Sequence, residues 1–455
     1  MAYQGMRGSE NWGTDVRPKN WRQQILRLFP NGSAQLTAML SMMRAQPVDD
    51  PEFNWWTQTF QNQSGSLTST GVFEDAAFAS AYTEGTDAQP AAGDIFYAKA
   101  PAALAQQARV GHTCWLEKDG DYRYRTAGRI VHIDVNGANS AIGIKLLEAS
   151  SDTYDIDEVN RLTLGAGAAP EGAERPNAVA QDPVKYYNYT QIMRTPLNIT
   201  NTNKATRLRT GIGYQEKKRD CLDYHSTEIE KNILYGVRSI VTSAENGQPL
   251  RTMDGVTTIL TRENDANSHG NVEAFSHAAP YTTSDWLGTG QGTATNPNGM
   301  KWLNKKLEII MRYGRPHKVG FCGSGALLGI QELAMAGGHI NITPTTTEFG
   351  IQVLRWITPF GIVDLRTHPL MTQNPQWRND LIILEPDSVV WRPLVGNGEN
   401  RDTKYIDAPE KGSNRGVDAT QEEYLTEASI ELHHPLKHGY LSRVGLNHDD
   451  TIETS

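Results

Sequence analysis

The feature that most limits how this chain can fold is an amphipathic stripe over residues 214–238, set between strand-like segments. Leu222, His225, Ile229, Ile233 and either Leu234 or Val237 recur at steps of three and four. Glu216, Lys217, Asp220, Asp223, Glu228, Glu230 and Lys231 fill the remaining positions. At ~1.5 Å per residue such a helix spans roughly 35–40 Å. It therefore needs an apolar surface of matching length, and Leu222, Ile229 and Ile233 are the expected core face. Tyr186–Thr200, just upstream, alternates and is rich in Tyr, Thr and Ile, so it reads as strand.

The other segments follow no β-α-β repeat. Residues 1–19 are polar, and Ser33 caps an expected helix through Met43. Phe53, Trp55 and Trp56 then crowd into a turn-like segment. Such aromatics are anchors, either for an arm on another subunit or for a clamp within the chain. Residues 57–93 lack periodicity and read as extended. Residues 94–148 hold short strands separated by Lys118-Asp119-Gly120 and Asn136-Gly137, with Ile95, Phe96, Trp115, Leu116, Ile130, Val131, Ile133, Ile144 and Leu146 as core material. Residues 150–183 look like a Gly/Ala/Pro/Asp-rich connector. Residues 244–300 read as a short strand pair and a long loop. Helices are expected at Trp302–Arg312 and Ser324–Ala336, and strands at Lys318–Cys322, Gln352–Ile357, Gly361–Arg366, Leu381–Leu384, Val389–Pro393, Thr426–Leu432 and Leu441–Val444. This order is that of an α+β protein, not a doubly wound sheet.

Composition excludes several function classes. Hydrophobic residues make up 38% of the 455, below the roughly 45–50% usual for a globular domain. A chain this poor in core material leaves arms and loops to find neighbours. Lys and Arg number 43 against 52 Asp and Glu, a formal charge of −9. That balance does not suit a direct reader of nucleic acid. Lys217–Arg219 sits between Glu216 and Asp220 and reads as a solvated helix face. Three separated cysteines form no disulfide framework or zinc motif, which fits a reducing cytoplasm. No apolar leader and no run of about 18 apolar residues is present, so neither secretion nor a membrane partner is expected.

Two segments carry a possible chemistry. In KVGFCGSGALLGIQELAMA (Lys318–Ala336), a strand meets Gly323-Ser324-Gly325 and Gly329 follows. Glycines there would let phosphate approach a helix N-terminus. The acidic second-strand residue of a dinucleotide fingerprint is missing, and a capped helix after a tight turn is the stronger reading. His433, His434 and His438 are ligand-type residues for a metal, but Pro435 breaks the face that would present them. No metal, cofactor or catalytic residue is assigned.

Three stretches, Trp356–Met371, Asn379–Gly396 and Thr426–Val444, resemble the closing portion of a tailed-phage major capsid protein. Tyr189–Thr200 with Tyr214–Gly236 is similar to the loop strand and spine helix of that family, and Phe29–Met43 with Asp50–Trp56 to its N-terminal arm. The resemblance implies a Hong Kong 97-type fold. Its parts would be an N-terminal arm at 1–75, an extended-loop region at 76–190 carrying an inserted β module at 94–148, a peripheral domain at 191–245 and an axial domain at 246–350. Residues 351–455 would return through both. It also implies a structural, non-enzymatic subunit assembling with itself as hexamers and pentamers, made in the bacterial cytoplasm and ending in the virion. Portal, scaffold and decoration proteins are further candidate partners, and double-stranded DNA would be enclosed without sequence-specific binding. A nucleotide-binding enzyme using the Gly323–Gly329 turn, or a tail or decoration protein, is the competing reading.

Overall fold

Along Gln191–Thr200 the side chains alternate: Met193, Leu197 and Ile199 are buried, Ile192, Arg194 and Asn198 exposed. That is the pattern of a strand covered on one face. The computed structural model describes residues 44–58, 63–150, 156–169, 171–172, 178–180, 182–206, 213–267, 269–275, 285–287, 298–337, 342–348, 351–406 and 419–447. The helix expected at Ser33–Met43 lies outside them. The chain divides into two units, Gln58–Val184 and the combined Met1–Thr57 and Lys185–Ser455.

In the discontinuous unit, Gln191–Thr200 pairs antiparallel with Ala419–Leu432, from Gln191 opposite Ala428 to Thr200 opposite Ala419. Val389–Pro393 and Lys404–Ile406 also pair with this 14-residue strand, and Arg44–Ala45 adds parallel to Val390–Trp391. The helix Gly213–Tyr235 packs on this five-stranded sheet. Its buried stripe is Cys221, His225, Ile229, Glu230, Ile233 and Leu234. Ile229 and Ile233 take their expected places. Leu222 does not: it is 40% exposed. The stripe is turned toward Cys221 and Glu230, and Leu222 falls on its outer edge. Val237 lies beyond the helix and is exposed.

A second sheet holds seven strands in the order Val272–Ala274, Gly439–Ser442, Leu381–Leu384, His317–Cys322, Gly361–Thr367, Ile351–Thr358 and Ile342–Glu348. It is mixed, with His317–Cys322 parallel to Gly361–Thr367 and antiparallel to Leu381–Leu384. Leu381–Leu384 serves two cores by simple alternation. Ile382 and Leu384 pack with Ile229, Ile233 and Ile430, while Leu381 and Ile383 pack with Trp286, Trp302, Leu307 and Ile330. The latter come partly from helices Gly299–Met311 and Ser324–Gly337. Val256–Asn267, within the stretch read as strands and loop, is a helix. Thr257 donates to the Leu234 carbonyl and Thr261 to that of Thr257, so hydroxyls that favour other conformations are used by the fold.

The 58–184 unit is a six-stranded antiparallel sheet in the order Ser64–Ser66, Arg161–Gly167, His112–Lys118, Asp121–Asp134, Ser140–Leu146 and Ile95–Ala100. Phe96, Leu116, Ile130, Ile144 and Leu146 are in its core as expected; Ile95 is exposed. The unit is wider than 94–148. Val72, Tyr82, Ile156, Val159 and Leu162 complete the core, and the stretches read as extended or connector supply two of the strands. At Gly128 any Cβ would run into Ile144. Glycine lets the two strands close there.

Candidate functional site

The aromatic anchor resolves into two parts. Glu52–Thr57 is a strand beside Val184–Tyr189, and its residues alternate between buried and exposed. Phe53 and Trp55 face inward. Trp55 stacks on Phe53 and on Tyr186, each at 5.9 Å between ring centroids, and only 6% of it is exposed. These two residues form the intrachain clamp. Trp56 points the other way and is 61% exposed, so of the three expected contact residues it alone presents a large apolar surface.

The long helix is fixed by buried polar groups that its apolar pattern conceals. His225 bridges two strands, with Nδ1 at 3.0 Å from Thr195 Oγ1 and Nε2 at 2.8 Å from Thr426 Oγ1. Burial lowers its pKa and favours the neutral ring. Glu230 Oε1 lies 2.6 Å from Nε2 of His368, which is fully buried beside it. At the helix end, Tyr235 and Tyr440 donate to Asp380 at 3.0 and 2.9 Å. Burial pushes the Asp380 carboxyl up to about 6, although both hydroxyls pull it down. On the 419–432 strand, Glu423, Glu427 and Glu431 share the face opposite Thr426 and pair with Arg194, Arg401 and Arg392. A helix and sheet latched at both ends form a stiff plate.

The two possible chemical segments are occupied by the protein itself. A Cβ at Gly323 would run into the Arg378 carbonyl, one at Gly325 would lie 2.7 Å from Asn379 Oδ1, and one at Gly329 would run into Gly445. The glycines thus admit neighbouring chain, not phosphate. Ser324 N–H donates to Thr372 Oγ1 and Ala326 N–H to the Arg378 carbonyl. The histidines near Pro435 diverge. His433 bonds Glu431, and buried His438 accepts from Glu385 N–H and contacts the His433 carbonyl. Among the described residues no cluster of three or more His, Cys, Asp or Glu is placed to hold a metal. In Lys217–Arg219, Lys218 lies over the Tyr405 ring at 3.5 Å, while Lys217 and Arg219 are exposed.

A family model described as SU10 major capsid protein matches residues 6–445. The chain belongs to the SU10 major capsid protein family. A curated major capsid protein from Pseudomonas phage PaMx41 is 24% identical over 429 residues, 92% of this chain and 91% of that one. Among solved structures, Microbacterium phage Oxtober96 aligns with a TM-score of 0.41 at 9% identity, covering 94% of this chain and 95% of that one. A capsid of a native GTA particle aligns with a TM-score of 0.41 at 6% identity, covering 95% and 97%. The assignment rests on the family match. As a member of the SU10 major capsid protein family, the chain is a structural subunit of a phage head shell that associates with its own copies in the virion. Its fold is α+β, with a long helix packed on one sheet and a second, seven-stranded sheet in the same unit. No helix among the described residues is long and apolar enough to cross a membrane.

Proposed function

We propose that this subunit assembles as hexamers and pentamers into a closed head enclosing double-stranded DNA, which it does not read. The observation that carries this is the family match over nearly the whole chain. The plate of helix Gly213–Tyr235 and its five-stranded sheet is the peripheral domain. The seven-stranded sheet is the axial domain, facing the capsomer axis. A formal charge of −9 suits a container that surrounds DNA without gripping it.

In this reading the 58–184 unit is the extended-loop region enlarged by an inserted domain, and it is displayed on the outside, where added bulk does not compete with the genome. Trp56 belongs to an arm contact. Assembly takes place in the host cytoplasm, with portal, scaffold or decoration proteins as partners. Electron microscopy of purified protein, alone or with its phage partners, tests the proposal. Closed shells built from sixfold and fivefold units are expected. A compact monomer by sedimentation under every assembly condition would overturn it.

A further inference from the structure

Directly after the long helix the chain forms a two-stranded ribbon, Ser239–Thr242 paired antiparallel with Pro249–Thr252. Val241 is opposite Leu250, and Ile240 opposite Arg251. Opposed residues share a face and successive residues alternate. Val241 and Leu250 therefore stand on one face and Ile240 on the other. All three are more than half exposed, at 57%, 57% and 53%. A flat surface laid against the ribbon would cover only one of these faces, whereas a cleft that takes the ribbon in covers both.

The base of the ribbon is rigid. Ser239 Oγ and Thr252 Oγ1 are 2.9 Å apart, and Thr252 Oγ1 donates to the Val237 carbonyl at 2.6 Å. Arg238 N–H donates to Asp254 Oδ1 at 2.6 Å, and its guanidinium lies 3.5 Å from Oδ2. Gly255 N–H reaches the Gly236 carbonyl at 2.9 Å, so close that a Cβ on Gly255 would press on Gly236 N at 2.5 Å. An isolated two-stranded ribbon is marginal in water, yet this one is held out from a locked stem with aliphatic side chains on both faces. That is the form of a preorganised contact element.

We infer that the 239–252 ribbon is a contact arm that inserts against a second copy of this chain, which covers Ile240 on one face and Val241 with Leu250 on the other. The inference rests on the shell-forming reading, because a shell built from one chain surrounds each copy with further copies. Three aliphatic side chains bury far less than the ~1,200 Å² of a stable interface. The ribbon therefore holds no dimer by itself and acts as one contact among several.

Two measurements test it. The described cysteines Cys114, Cys221 and Cys322 are all buried, so a Val241→Cys subunit gives a clean maleimide signal. Labelling is expected to be fast in free subunits and slowed by on the order of tenfold or more in shells, the factor of a buried interface anchor. A photo-crosslinking residue at position 241 should then join two copies of the chain. Equal labelling in both states, or crosslinks to DNA or to another protein, would overturn the inference.

The second measurement uses an Ile240→Asp, Leu250→Asp variant. It should melt with wild type and need a higher concentration to assemble. A folded variant that assembles at wild-type concentration also overturns the arm. If the variant fails to fold, the labelling and crosslinking decide. A wild-type protein that never assembles would sink the shell reading itself, a separate outcome.

Discussion

Ile229 and Leu222 are seven residues apart and share a stripe in the sequence, but only one is buried, which makes them a matched pair for mutation. Ile229 is 4% exposed and packs in the core between the two sheets. Replacing it with Asp loses about 1.5–3 kcal/mol of apolar burial. Placing a polar group there without a designed partner adds about 1–3 kcal/mol. The expected cost of Ile229→Asp is thus about 2.5–6 kcal/mol, a large share of the ~5–15 kcal/mol that holds a domain together. At roughly 2–4 °C per kcal/mol for a unit of this size or somewhat smaller, melting should fall by about 5–24 °C. Leu222→Asp should cost about 1 kcal/mol or less, mostly from helix propensity. The assay is thermal unfolding of unassembled subunits followed by circular dichroism. Equal melting temperatures for the two variants would refute the placement of the helix. So would a soluble, wild-type-like Ile229→Asp protein.

Trp55→Ala should destabilise the free subunit by about 3–5 kcal/mol because it empties the clamp, whereas Trp56→Ala should leave its melting unchanged and impair assembly; the reverse order would refute the division between them. Gly329→Ala should cost about 1–3 kcal/mol or more by pushing Gly445 away, and nucleotides should not shift the melting of the wild type; a saturable upward shift would restore the phosphate-binding reading. His438 titrates at about 3 in the fold against an ordinary 6.5, because burial disfavours its charged form and nearby Lys318 adds to the effect. The unfolded chain therefore takes up this proton first. Stability from His438 is full above pH 6.5 and declines toward pH 3, by about 2 kcal/mol between pH 6.5 and pH 5. His438→Asn should flatten that part of the acid limb in denaturant titrations, and an unchanged slope would count against the buried neutral ring.

The sequence revealed most where a single period governs. Ile229 and Ile233 recur on a helix with one covered side, and Met193, Leu197 and Ile199 alternate on a strand with one covered side. It misled where a polar partner sets the facing. Glu230 looks like a solvent-face charge until His368, 138 residues away, is seen to receive it. That burial shifts the stripe and leaves Leu222 outside. Val256–Asn267 opens with β-branched residues that favour strand, and the Leu234 carbonyl that accepts from Thr257 is not evident from local composition. The 58–184 unit exceeds the 94–148 module for a related reason. Arg161–Gly167 has little apolar signal of its own, and only pairing with His112–Lys118 makes it a strand. Trp55 and Trp56 are adjacent in sequence and opposite in exposure, which strand alternation explains once the strand is known.

Strand Glu52–Thr57 neighbours strand Val184–Tyr189, and Thr190 N–H donates to the Pro51 carbonyl. With that end of the pair closed, the chain departs at Thr57 and returns at Val184 from the same place. The 58–184 unit is therefore a parenthesis in the chain: its sequence can be replaced, shortened or enlarged without rethreading the strands and helices that build the plate. A segment that leaves and rejoins a fold at adjacent residues can gain or lose length without moving the strands on either side of the gap.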